Sequence, residues 1–156
     1  MLKVAIPGFE PMEFEHLVLD FNGTIAFDGQ VIQGVAPAIS MLAQLVIVHV
    51  LTADTHQNAV QEVAHLPVTT RVVNSAYQTD EKRQYVEELG TETVCAIGNG
   101  AVDVEMLKAS ELGIVIVGPE GLSPKALAAA DVIMPDIVSA LESLMNANRL
   151  KATLRT

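Results

Sequence analysis

Asp20 is the residue of this chain whose setting best suits chemistry. It closes the apolar run Leu17-Val18-Leu19, and Phe21-Asn22-Gly23-Thr24 follows at once. A continuous apolar run of this kind reads as a strand buried on both faces of a parallel sheet. Ligands of open α/β sheets bind at the C-terminal mouth of the strands, so Asp20 is expected to be displayed rather than buried. Gly23 would let the backbone approach a phosphate closely, and Thr24 adds a hydroxyl and an N–H beside it. A carboxylate is a weak nucleophile, yet it can take a phosphoryl group when a divalent ion neutralises their repulsion.

Two further positions can serve such a group. Thr52, followed by Ala53, ends the strand-like run Val48-His49-Val50-Leu51. If that strand neighbours the first, the Thr52 hydroxyl lies beside Asp20 and can hold a phosphoryl oxygen. The plainer alternative is a threonine that caps the next helix. Lys82 falls in the first turn of a helix expected over 80–89, where a cation opposes the helix dipole unless something anionic faces it. A solvated surface lysine is the alternative there.

Asp20-Phe21-Asn22-Gly23-Thr24 resembles the Asp-x-Asp-Gly-Thr signature of the haloacid dehalogenase-like (HAD) phosphotransferases. The chain as a whole looks most like their small, soluble P-type ATPase-like members. The resemblance implies a magnesium-dependent phosphohydrolase that forms an aspartyl phosphate on Asp20. It implies phosphate binding by Gly23, Thr24, Thr52, Ala53 and Lys82. Gly98-Asn99-Gly100-Ala101-Val102-Asp103 resembles the superfamily's Gly-Asp-Gly-x-Asn-Asp metal loop, with Asn99 and Val102 as departures. The implied magnesium ligands are Asp20, the backbone carbonyl of Asn22, and Asn99 or Asp103; an amide in place of an acid lowers the expected affinity.

Asn22 is the departure with the largest consequence. The phosphatases of the superfamily carry a proton-donating aspartate there, and an amide has no titratable proton near neutral pH. Alkyl phosphates are therefore expected to be poor substrates, whereas acyl phosphates, aryl phosphates and phosphoanhydrides need little proton assistance. The alternative is an impaired phosphate- and metal-binding regulatory module of the same fold. A receiver-like domain phosphorylated by a kinase is disfavoured by the Gly-Thr turn after the aspartate.

The elements that must position these residues alternate between strand and helix from Leu17 onward with short connections, the pattern of a doubly wound, Rossmann-type parallel sheet. One domain is expected over residues 1–156, with a hairpin over 1–15, a flap hairpin over 24–33 turning at Asp28-Gly29, and a loosely held tail over 150–156. Helices are expected over 34–45, 55–64 (capped by Asp54 or Thr55), 80–89 (capped by Thr79) and 102–109. The intervals between Asp20, Thr52 and Lys82 are filled by ordinary elements, so no cap domain is expected. Such an open site suits a phosphorylated small molecule, a nucleotide or a macromolecule, or closure by a second copy of the chain.

Composition narrows the partners. Nine basic against nineteen acidic residues give a formal charge of −10, which disfavours nucleic-acid and anionic-membrane binding. The longest apolar segment, over 39–53, is too short to span a bilayer, and the N-terminus does not read as a signal peptide, so a cytoplasmic location is expected. Cys95 lies in an apolar run and reads as a buried thiol. His16, His49, His56 and His65 form no metal-ligand spacing; His49 is expected in the core and the others on the surface.

Overall fold

The run that ends at Asp20 is the third strand of the chain and a central strand of the main sheet. A computed structural model describes residues 1–54 and 58–156. In chain order, β1 (Leu2–Val4) and β2 (Met12–Phe14) precede β3 (His16–Asp20); β4 (Ala26–Phe27), β5 (Gln30–Val31), α1 (Val35–Leu42) and β6 (Ile47–Thr52) follow. Then come α2 (Asn58–Val63), β7 (Thr69–Val72), α3 (Gln78–Leu89), β8 (Val94–Gly98), α4 (Val104–Ala109) and β9 (Leu112–Ile116). The chain ends with α5 (Pro124–Ala129), β10 (Val132–Met134), α6 (Ile137–Met145) and α7 (Ala147–Leu154).

The main sheet has the order β10-β9-β8-β3-β6-β7, and its neighbouring strands pair in parallel. Order reverses at β3, so the carboxyl ends of β3, β6 and β8 meet at a topological switch point, where ligands of such sheets bind. The register places Asp20 opposite Leu51 and Leu19 opposite Ile97. Thr52 is thus one residue beyond Asp20 along the neighbouring strand. The N-terminal hairpin pairs β1 with β2, and the flap pairs β4 with β5, both antiparallel.

Continuous apolar strands are required because helices cover both faces. Leu17 and Leu19 join one core with α1 and α6, while Val18 joins a second with Val86 of α3 and Met106 and Leu107 of α4. Burying each such side chain contributes about 1.5–3 kcal/mol. The flap turns at Asp28 (φ 50°) and Gly29 (φ 78°), the two positive φ values that a two-residue hairpin of the favoured hand demands. Between Asp20 and Thr52 lie the flap and α1, and between Thr52 and Lys82 the described elements are α2 and β7. Among the described residues no cap is inserted.

Several boundaries differ from expectation. The segment expected as a loose tail forms α7, whose Leu150 is fully buried in the larger core. Helix α3 begins at Gln78, so Thr79 lies inside it rather than capping it, and Lys82 sits in its second turn. The helix expected over 102–109 opens with a 3-10 turn, Ala101–Asp103, before α4. His16 is half-buried rather than surface, with Nδ1 3.0 Å from His49 Nε2. Thr55 and His56 lie outside the described residues. At the head of α2, the Ala59 N–H donates to Asp54 Oδ2 at 2.7 Å.

Candidate active site

One buried polar cluster forms beside the switch point from a strand end, a helix and a turn. Asp20 ends β3, Lys82 reaches in from α3, and Asp103 closes the turn after β8. The Lys82 ammonium donates to Asp20 Oδ1 at 2.7 Å and to Asp103 Oδ1 at 2.8 Å. Lys82 is 1% exposed, Asp103 0% and Asp20 7%. Asp20 is therefore buried rather than displayed, although its side chain still borders the cleft described below.

The glycines of the Gly98-Asn99-Gly100 turn let Asp103 fold back under it. Its Oδ2 accepts the backbone N–H of Asn99 at 3.0 Å and of Gly100 at 2.9 Å. A Cβ on Gly98 would lie 2.6 Å from that same oxygen, so only glycine fits. Both carboxylate oxygens of Asp103 thus act on the loop and on Lys82, and Asp103 does not line the cleft.

Thr24 and Asn99 complete the cluster from either side of Gly23. The Thr24 hydroxyl lies 3.2 Å from Asp20 Oδ2 and 3.0 Å from Asn99 Oδ1. Asn99 Nδ2 donates to the Gly121 carbonyl at 3.0 Å, which fixes which end of the amide faces Thr24. Gly23 adopts φ 78°, and the Gly118 backbone packs so near it that a Cβ on Gly118 would lie 2.5 Å from the Gly23 carbonyl.

Burial, the largest influence, together with the Asp103 charge raises the Asp20 carboxyl to about 6, against the opposing pull of Lys82. Burial alone would lower the Lys82 ammonium, but Asp20 and Asp103 outweigh it and hold it above the ordinary lysine value. Lys82 is therefore a permanent cation here. The Cys95 thiol is pushed far up by burial and then by Asp131, so it is inert.

Above the cluster opens a cleft of about 430 Å³, lined by Asp20, Asn22, Thr52, Ala53 and Asp54, with Gly29, Asn58, Gln78 and Val102. Of the residues singled out from sequence, Asp20, Asn22, Thr52 and Ala53 meet there, while Lys82, Thr24, Asn99 and Asp103 lie behind Asp20. The Thr52 hydroxyl accepts the Asp54 N–H at 3.1 Å, leaving its own proton for a ligand. Gly29 was read only as the flap's turn, and Asn58 and Gln78 carried no motif, so their placement alone shows them at the cleft. A second cavity, of about 340 Å³, lies between the N-terminal hairpin and α7, walled by Ile6, Phe9, Met12 and Leu154. Glu10, Glu111 and Asp131 also border it.

Magnesium is the cofactor that the motif resemblance implies, and the donor set can be tested for it. The available atoms are oxygens: Asp20 Oδ2, the Asn22 carbonyl and Asn99 Oδ1, of which the first and last converge on the Thr24 hydroxyl. Hard oxygens suit magnesium, so the set fits, with a single anionic ligand. Among the described residues, no group of three or more acids, histidines or cysteines is gathered to hold a metal ion.

No family model matches the chain. An uncharacterised protein of Methanocaldococcus jannaschii is 44% identical over 78 residues, spanning 47% of this chain and 84% of that protein. The chain belongs to one family with that archaeal protein, and its fold is HAD-like. The fold assignment rests on solved structures. A protein of Legionella pneumophila assigned to HAD superfamily subfamily III A superposes with a TM-score of 0.73 at 13% identity, covering 92% of this chain and 88% of that one. The 3-deoxy-D-manno-octulosonate 8-phosphate phosphatase of Moraxella catarrhalis, solved with magnesium, phosphate and the sugar acid, gives 0.72 at 13%, covering 90% and 91%. A phospholipid-transporting ATPase of Caenorhabditis elegans is 35% identical over 91 residues, which is 57% of this chain and 8% of that ATPase. No described helix of the chain is long and apolar enough to cross a membrane.

Proposed function

We propose that this chain is a magnesium-dependent phosphohydrolase or phosphotransferase that forms an aspartyl phosphate on Asp20. The observation that carries the reading is the Asp20 carboxylate at the floor of the cleft, held by Lys82 at 2.7 Å and by Thr24 at 3.2 Å, one strand from Thr52. Two buried contacts fix the nucleophile's rotamer before any substrate arrives, which lowers the entropy cost of attack. The neighbour that holds magnesium and phosphate on the same fold supports the reading.

A carboxylate oxygen of Asp20 bonds to phosphorus as the bond to the leaving oxygen breaks, and the leaving group departs with the electron pair. Thr52 and the Ala53 N–H hold phosphoryl oxygens, and Lys82 offsets charge behind the carboxylate. Asp20, the Asn22 carbonyl and Asn99 would hold magnesium, which when bound neutralises charge between carboxylate and phosphoryl oxygens. Asn22 gives the leaving group no proton, so donors with stable leaving anions are favoured: acyl phosphates, aryl phosphates and phosphoanhydrides of small molecules. Water then attacks the phosphorus, and inorganic phosphate leaves. Without a general base that step is slow, by about 100- to 10,000-fold relative to an assisted one.

Incubation with acetyl phosphate and magnesium followed by intact mass tests this. The expected result is one phosphoryl adduct, absent from Asp20→Asn; no adduct, or an unchanged adduct in the variant, would refute it. The regulatory-module reading draws on Asn99, whose amide is tied to the Gly121 carbonyl and to Thr24 where an acid would bind metal. Phosphate binding with no adduct from any donor would favour that alternative.

A further inference from the structure

Asn22 and Asn99 each stand directly before a glycine. Of the six asparagines in the chain only these two are so placed; alanine, serine or arginine follows the other four. Asparagine is a thermolabile side chain, and a following glycine, having no Cβ, lets its own nitrogen reach the asparagine Cγ with least hindrance. Gly23 is fixed by the fold: its φ is 78°, and a Cβ there would lie 2.5 Å from Asn99 Nδ2. An asparagine at position 22 therefore always stands in such a pair.

The two pairs differ in what restrains them. Asn99 is 9% exposed, and its amide is held at both ends, by the Thr24 hydroxyl and the Gly121 carbonyl. The Gly100 N–H that would have to attack it donates to Asp103 Oδ2 at 2.9 Å, and Asp103 is itself sealed and held by Lys82. Asn22, by contrast, is exposed at the cleft, and its side chain makes no hydrogen bond among the described residues. The Gly23 N–H does donate, to the Ala26 carbonyl at 2.9 Å. That bond closes the base of the flap, a separate sheet whose two strands have 2 residues each. So small a hairpin opens far more readily than a buried ion cluster.

We propose that Asn22 is a deamidation site gated by opening of the flap, and that the aspartate it yields gives the cleft the proton-carrying side chain that the encoded amide cannot supply. The Gly23 nitrogen, having lost its proton, bonds to Asn22 Cγ as the bond from Cγ to Nδ2 breaks, and ammonia leaves carrying a proton from water. Water then opens the cyclic imide. Attack at Cγ restores the ordinary backbone with an aspartate at position 22; attack at the main-chain carbonyl gives isoaspartate, which lengthens the loop by one backbone carbon. The chemistry of the site is independent of the aspartyl-phosphate reading, and only its consequence for hydrolysis rests on that reading.

The test ages the folded chain at mildly alkaline pH in heavy-oxygen water. Proteolytic peptides are then mapped by mass spectrometry, with fragmentation that separates aspartate from isoaspartate. Position 22 should become an acid carrying the heavy-oxygen label while Asn99 stays an amide, and in urea both should convert. Asn22→Gln, whose ring closure is larger and slower, should keep its amide over the same period. Proton help is worth about 100- to 10,000-fold, so conversion of about a tenth of the chain to aspartate should raise magnesium-dependent hydrolysis of p-nitrophenyl phosphate about tenfold or more. Aged Asn22→Gln should show no such rise. Conversion of Asn99 ahead of Asn22 in the folded chain, or an intact Asn22 after the time that converts it in urea, would overturn the site. Conversion without a rise, when Asn22→Asp made directly does hydrolyse faster, would overturn the role and leave isoaspartate as the main product. If Asn22→Asp gains nothing and no adduct forms on Asp20, the role falls together with the aspartyl-phosphate reading, while the label at position 22 still decides the site.

Discussion

Lys82 Nζ lies 2.7 Å from Asp20 Oδ1 across a separation of 62 residues, and both groups are nearly sealed from water. A buried ion pair of this kind adds little net stability over an apolar pair, but removing one partner leaves an uncompensated charge inside the protein. The contact therefore ties the fold to the site: whatever disturbs α3 disturbs the nucleophile.

Lys82→Met should accordingly destabilise the chain by about 3–5 kcal/mol and abolish phosphorylation. The double variant Lys82→Met with Asp20→Asn should recover part of that loss, since it removes one of the two stranded carboxylates. Urea melts of the four proteins of this cycle measure the coupling. Additive effects would show that Lys82 is not spent on Asp20.

The pH dependence has two limbs of opposite sign. Asp20 is held at about 6 in the fold, above its ordinary 3.8, so the stability it contributes is full below about 4 and lost as pH rises through 6. His49, lowered to about 4 by burial and by His16, does the reverse: its contribution is full above its ordinary 6.5 and lost as pH falls toward 4. The two oppose each other between about 4 and 6. Asp20→Asn should therefore expose a steeper acid-side loss of stability, and His49→Leu should reduce it.

The central strand, its terminal carboxylate and the alternation of elements were legible because burial on both faces leaves a simple pattern, an unbroken apolar run closed by an acid. The flap turn was legible from Asp28-Gly29, which few other conformations suit. The end of the chain was not: α7 buries mainly Leu150, and one apolar residue makes no periodicity. The start of α3 was hidden because no side chain caps it. Within the site, Asp20, Thr52 and Lys82 could be read from strand ends and an odd helix charge. The tie of Asn99 to Gly121 and Thr24, and the cleft walls Asn58 and Gln78, arise from contacts between distant residues with no local signature.

That C-terminal helix can be tested directly. Leu150→Ala should cost about 2–5 kcal/mol, as for other fully buried leucines, whereas Leu127→Ala on the exposed face of α5 should cost little. Equal, small effects from the two in chemical denaturation would mean that α7 does not dock on the core.

Asn22 lines the cleft and is exposed, so exchanging it tests chemistry with little effect on packing. Asn22→Asp would place a titratable group where leaving oxygen and attacking water must pass. General acid–base help is worth about 100- to 10,000-fold, so the gain should be largest on alkyl phosphates, smaller on p-nitrophenyl phosphate, and smallest for adduct formation from acetyl phosphate. Turnover of the adduct should quicken in the same variant, since the new carboxylate can deprotonate water. Steady-state rates on the three donors, with a chase of the phosphoryl adduct by intact mass, separate the two steps. A uniform gain on all three would show that residue 22 acts through binding, and no gain on any would show that proton transfer is not what limits this site.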